Sequence, residues 1–167
     1  LLAKPLWHLV GAYYSFVGLA EAPVTNPEEA LRVVRCLGMR ATTADERKAL
    51  GQALYKACSR GHADLVAAAR AAGLGAEDAR ARNNTALSEA CLAGHTEVVR
   101  LLHSEYGLGA ADARARENHA LRWACRYGHA PVVQLLHTEY GLTAADARTD
   151  DNEALLWACE DGRVEVL

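Results

Sequence analysis

Asn118-His119-Ala120-Leu121-Arg122-Trp123-Ala124-Cys125-Arg126-Tyr127-Gly128-His129-Ala130-Pro131-Val132-Val133-Gln134-Leu135-Leu136 decides the fold, because the chain writes it more than once. Thirty-four positions earlier stands Asn84-Thr85-Ala86-Leu87-Ser88-Glu89-Ala90-Cys91-Leu92-Ala93-Gly94-His95-Thr96-Glu97-Val98-Val99-Arg100-Leu101-Leu102. Thirty-four positions later stands Asn152-Glu153-Ala154-Leu155-Leu156-Trp157-Ala158-Cys159-Glu160-Asp161-Gly162. A fourth copy, Gly51-Gln52-Ala53-Leu54-Tyr55-Lys56-Ala57-Cys58-Ser59-Arg60-Gly61-His62, lies 33 positions before Asn84. A fixed period in this range marks a solenoid, whose units cannot bury an apolar face alone and must stack.

Composition agrees. The 167 residues carry 23% charged residues and a net charge of −3, so no basic balance points to nucleic acid. Phe occurs once while Ala, Leu and Val dominate, which predicts close-packed small-residue helices. Of the five cysteines, Cys58, Cys91, Cys125 and Cys159 share one place in the period. Stacked units sit about 10 Å apart, roughly one helix diameter. That exceeds the limit of about 7 Å between Cα atoms for a disulfide, so small buried thiols and a reducing compartment (cytoplasm or nucleus) are expected.

Residues 5–20 form the most apolar run, with Leu6, Leu9, Val10, Tyr13 and Val17 at helical spacing. The run is shorter than the roughly 20 residues that span a bilayer, so it reads as a buried helix. Asn26-Pro27-Glu28-Glu29 is the start of a further helix: a cap, a proline at the first position and acids at the positive end of the dipole.

Each full unit has one grammar. A first helix runs from the Ala-Leu pair, for example Ala120 to Tyr127, and stops at Gly61, Gly94, Gly128 or Gly162, where a left-handed residue is needed. A second helix holds Val98, Val99, Leu101 and Leu102, then stops at Tyr106-Gly107-Leu108, or in the next unit at Tyr140-Gly141-Leu142. Gly75-Ala76-Glu77-Asp78, Gly109-Ala110-Ala111-Asp112 and Thr143-Ala144-Ala145-Asp146 have the spacing of a capping box with Asp in the fourth place, which predicts one helical turn. A polar turn follows to Asn84, Asn118 or Asn152, with Gly51 at the matching place; Gly alternating with Asn predicts a positive φ there.

Helix, Gly-His, Glu-Val-Val, Leu-Leu and Gly at this period resemble the ankyrin repeat, most closely over Ala90-Cys91-Leu92-Ala93-Gly94-His95-Thr96-Glu97-Val98-Val99-Arg100-Leu101-Leu102. The resemblance covers residues 51–167 well and 28–50 weakly. It implies an all-α, ankyrin-like helical repeat solenoid, with paired antiparallel helices stacked in a curved array. The family's Thr-Pro-Leu-His opening is replaced by Thr85-Ala86-Leu87-Ser88 and its counterparts, and an Ala-rich helical turn stands where the family has a β-hairpin finger. The tetratricopeptide repeat shares the period, but places a Trp early in its first helix, whereas Trp123 and Trp157 come late. The expected divisions are a divergent apolar cap over 1–26, a partial repeat over 27–50, repeats over 51–83, 84–117 and 118–151, and a truncated repeat over 152–167.

Constellations that carry chemistry elsewhere read here as structure. Cys58, Cys91 and Cys125 each precede His62, His95 or His129 by four places, but zinc needs about four converging ligands and the last unit puts Arg163 in the His place. His103-Ser104-Glu105 and His137-Thr138-Glu139 are neighbours on a helix, where side chains diverge by about 100° and cannot form a relay. Neither an enzyme site, a metal nor a cofactor is expected. Arg80, Arg82, Arg114, Arg116 and Arg148 alternate with Asp78, Asp112, Asp146 and Glu117, which predicts ion pairs within and between units.

Function is expected where the repeat varies. The first helices carry Lys56, Glu89, Trp123 and Trp157 at one place, and Arg60, Arg126, Tyr127, Glu160 and Asp161 next to the glycines. In ankyrin geometry these lie on the concave surface, where the family binds proteins. Trp, Tyr and Arg are the types that dominate binding energy, and Trp123 and Trp157 are expected to stack. A protein or peptide partner follows, with no nucleic acid, membrane or small-molecule substrate. Pro5-Leu6-Trp7-His8-Leu9-Val10-Gly11-Ala12-Tyr13-Tyr14-Ser15-Phe16-Val17-Gly18-Leu19-Ala20-Glu21 resembles the opening of an F-box, without its usual follow-on; it implies a ubiquitin-ligase adaptor with the repeats as substrate receptor. A targeting arm of a longer enzyme is the third class. Leu1 in place of an initiator methionine, and Leu167 within a second helix, suggest a fragment that frays or self-associates at its end.

Overall fold

The computed structural model describes residues 44–163 and 165, with side chains from residue 50 onward. The apolar run at 5–20, the helix after Asn26, Cys36, the F-box-like segment and Leu167 lie outside the described residues. Ten helices follow in order: α1 (Ala44–Arg60), α2 (Ala63–Ala71), α3 (Ala76–Ala79), α4 (Ala81–Leu92), α5 (Thr96–Ser104), α6 (Ala110–Ala113), α7 (Ala115–Arg126), α8 (Ala130–Thr138), α9 (Ala144–Ala147) and α10 (Thr149–Glu160). No strand occurs among the described residues. The first helices α1, α4, α7 and α10 pack side by side, and α2, α5 and α8 form a second row against them.

The close packing follows from small side chains. Ala57, Ala90, Ala124 and Ala158, with Cys58, Cys91 and Cys125, are buried between first helices, while Leu65, Val66, Val98, Val99, Leu102, Val132 and Leu136 fill the space under the second row. Burial pushes the Cys58 thiol up to about 12 and the Cys125 thiol up to about 11, so both stay protonated and act as small apolar groups. Cys159 departs from the expectation of a buried thiol: it is exposed, because no described helix packs over that side of α10.

The glycine stops fall as expected, with φ of +76° at Gly61, +74° at Gly94, +73° at Gly128 and +65° at Gly162. The one-turn helices α3, α6 and α9 stand where the sequence places them. Each starts from an extended residue whose backbone N–H donates to the Asp three places on: Gly75 to Asp78 at 2.8 Å, Gly109 to Asp112 at 2.9 Å and Thr143 to Asp146 at 2.7 Å.

The turns into the first helices exceed what the sequence foretells. Three successive residues, not one, are left-handed: Arg82, Asn83 and Asn84, then Arg116, Glu117 and Asn118, then Asp150, Asp151 and Asn152. Each such residue costs roughly 1–2 kcal/mol relative to right-handed backbone. Buried Asn118 offsets part of this, its amide donating to the Asp146 carbonyl at 3.0 Å and to Thr149 Oγ1 at 2.9 Å. At the exposed middle position, Glu117→Gly removes the steric cost and adds back about 0.4–1 kcal/mol of unfolded-chain entropy. A net gain of about 0.5–1 kcal/mol is expected from the shift in urea midpoint; a loss would mean that the Glu117 contact with Arg122, at 3.8 Å, matters more than the backbone.

Gly51 corrects the sequence reading. It sits inside the continuous helix α1, which starts at Ala44, and takes no positive φ. The physical reason is local: Arg47-Lys48-Ala49-Leu50 are strong helix formers, and the Ala-Arg and polar turn that break the later units are absent.

Three kinds of contact tie one unit to the next. Arg80 grips Asp112 through Nε at 2.7 Å and Nη2 at 3.1 Å, and Arg114 grips Asp146 at 2.6 and 3.0 Å. Tyr106 donates its hydroxyl to the Val66 carbonyl at 2.7 Å, and Tyr140 to that of Val99 at 2.8 Å. His95 Nε2 lies 3.3 Å from the Ser59 carbonyl and His129 Nε2 2.9 Å from that of Leu92; a carbonyl only accepts, so these nitrogens carry the proton.

Candidate functional site

Trp123 projects from α7 and Trp157 from α10, one period apart, and their ring centroids are 5.7 Å apart. The helical spacing of four places brings His119 under Trp123, and the indole N–H donates to the imidazole, 2.6 Å from Nε2. An indole only donates, so His119 accepts as a neutral ring. Burial, then the nearby charges of Arg116 and Arg122, lower its pKa and favour that state. Tyr127, one turn along, stacks on Trp123 at 5.7 Å.

Two arginines frame the rings. Arg126 lies over both indoles, 5.4 Å from the Trp123 centroid and 4.9 Å from that of Trp157. Its described ion pair is a loose one, to Asp161 at 3.9 Å. Arg122 is different. Its side chain is 13% exposed, lies 5.0 Å over Trp157 and is held by Asp150 at 3.0 Å, by Glu117 and by Glu153. Arg122 therefore props Trp157 from within, whereas Arg126 lies over the rings with its side chain 41% exposed.

The outer edge is apolar and open. Tyr127 is 44% exposed and Leu156 52% exposed, the two large hydrophobic side chains left to solvent among the described residues. Of the sequence candidates, Trp123, Arg126, Tyr127, Trp157 and Asp161 come together here. Glu160 is exposed on the same end of α10, while Lys56 and Arg60 stand on α1 and Glu89 on α4, in earlier units. Lys56 and Glu89 are half-buried and Arg60 is exposed. The sequence reading missed His119, Arg122 and Leu156. The signal was present: His119 is four places from Trp123, and Arg122 and Leu156 share the variable place just before the tryptophans.

No group of three His, Cys, Asp or Glu side chains converges as a metal site among the described residues, and no described helix is long and apolar enough to cross a membrane. The Arg80, Arg114, Asp112 and Asp146 side chains are spent on each other between units.

No curated protein and no solved structure matches the chain. The family model for the ankyrin repeat matches residues 82–118. Repeats of this family generally mediate protein–protein interaction and are typically not catalytic. The matched span runs from one left-handed turn to the next, a full period, and its helices recur on both sides; residues 82–118 are an ankyrin repeat, and the helices around them repeat its architecture.

Proposed function

We propose that the chain is a protein-binding module whose recognition surface is the concave strip formed by the first helices, centred on Trp123, Tyr127 and Trp157. One observation carries this reading. Two tryptophans and a tyrosine from adjacent units form a continuous aromatic cluster, covered by Arg126 and edged by exposed Tyr127 and Leu156. Aromatic and Arg side chains held rigid by their neighbours lose little freedom on binding, which is why they dominate interface energies. Lys56, Arg60, Glu89, Glu160 and Asp161 supply the polar rim. Buried protonated thiols at Cys58 and Cys125 suit a reducing compartment.

The test is retention of partners from a lysate by the chain and by two variants. Trp123→Ala with Trp157→Ala removes the surface but also packing between units. Tyr127→Ala with Leu156→Ser truncates the two exposed apolar side chains and leaves the indole pair between the units in place, with helicity as the control on the fold. Both variants are expected to lose the partner by at least about tenfold, the scale of a hot spot. Undiminished binding by the Tyr127 and Leu156 variant, in a chain of unchanged helicity, would contradict the reading.

A further inference from the structure

Charge changes sign along the recognition strip. In the first described unit Arg60 stands before Gly61, and Arg82 in the following turn lies 5.7 Å over the Tyr55 ring. At the other end, the place of Arg60 is taken by Asp161, with Glu160 beside it, and the turn place of Arg82 is taken by Asp150. All five are exposed. The aromatic surface lies between the ends, nearer the acidic one.

We propose that the strip binds an extended peptide segment of bipolar charge: acidic residues over Arg60 and Arg82, a bulky apolar side chain against the exposed edge of Tyr127, and Lys or Arg over Glu160 and Asp161. This rests on the strip being the recognition surface. Packed helices lie about 8–10 Å apart, so three unit steps span roughly 24–30 Å. An extended chain covers about 3.3 Å per residue, which sets the segment at about seven to nine residues. The apolar anchor stands two steps from the basic end, about five or six residues from the acidic part of the peptide. Polyanions are disfavoured because their charge would meet exposed Glu160 and Asp161, the latter only loosely paired with Arg126. A cation on the ring faces is disfavoured because Arg126 already covers them. Complementary rim charges of this kind choose the partner and fix its register.

The experiment is selection of a random dodecapeptide display library on the full chain, followed by anisotropy with a labelled copy of an enriched peptide. Enriched sequences are expected to separate acidic and basic residues on either side of a bulky apolar one. Arg60→Glu with Arg82→Glu should weaken the peptide at least tenfold, as should Glu160→Lys with Asp161→Lys, and inverting the facing charges of the peptide should restore binding. Enrichment without charge separation, no enrichment, or affinity indifferent to both reversals would overturn the proposal. Loss of affinity in Tyr127→Ala with silent charge reversals would sink the bipolar partner and leave the recognition strip standing. Indifference to Tyr127→Ala as well would sink both.

Discussion

Replacing Asp112 by alanine is expected to lower stability by about 2–3 kcal/mol, far more than an exposed ion pair would suggest. The carboxylate does two jobs. It accepts the Gly109 N–H that starts α6, and it receives the Arg80 fork from the preceding unit. Its side chain is nearly buried, so the variant leaves a helix start without its cap and a unit boundary without its clamp. Asp146 repeats the arrangement with Thr143 and Arg114. The two pairs also set the response to acid. The Arg114 hydrogen bond, with the Thr143 backbone, holds the Asp146 carboxyl well below the usual range. For Asp112 burial alone would raise the value, but Arg80 and the Gly109 N–H outweigh it and the net shift is downward. A folded-state pKa below the unfolded one contributes stability that is complete above about pH 4, the unfolded value, and is lost as pH falls through the depressed one. Urea midpoints measured from pH 6 downward are expected to fall below about pH 4 in the parent chain, and less steeply in Asp146→Asn. Equal slopes in the two would show that the staple carries no pH-linked stability.

Gly94→Ala is expected to cost about 2–4 kcal/mol, while Gly107→Ala costs about 1–2 kcal/mol. The two residues have similar backbone, with φ of +74° and +69°, so the conformational cost is shared. The surroundings differ. A Cβ on Gly94 would stand 2.5 Å from Nδ1 of His129, whereas nothing lies within 4 Å of one on Gly107. The alanine must push His129 away and break its bond to the Leu92 carbonyl, so local strain becomes a loosened unit boundary. Equal midpoints for the two variants in thermal unfolding would contradict the close-approach argument.

The repeat made much of the architecture legible. The glycine stops and the one-turn helices started by Asp each have a cause confined to a few neighbouring residues, and burial of the thiols follows from the period wherever a neighbouring unit stacks. What escaped depends on the partner unit. Tyr106 and Tyr140 mark the end of a second helix in the sequence, but their hydroxyls reach carbonyls about forty places back, and only stacking shows this. The triple left-handed turn was hidden because Arg82, Arg116 and Glu117 are not residues that favour such backbone. Gly51 misled because its alignment with Asn84 overrode the helix formers before it. In the site, Trp123 and Trp157 were readable as a pair. His119 and Arg122, which orient them, were hidden in places that look like ordinary surface.

The central claim, that the first-helix strip recognises a partner, is tested most directly by hydrogen exchange on the chain with and without its retained partner. Backbone and side-chain burial at the site should slow exchange over residues 119–127 and 153–161 and leave the second helices α2, α5 and α8 unchanged. Protection confined to α5 and α8, with the strip exchanging as in the free chain, would place recognition on the opposite row and contradict the account.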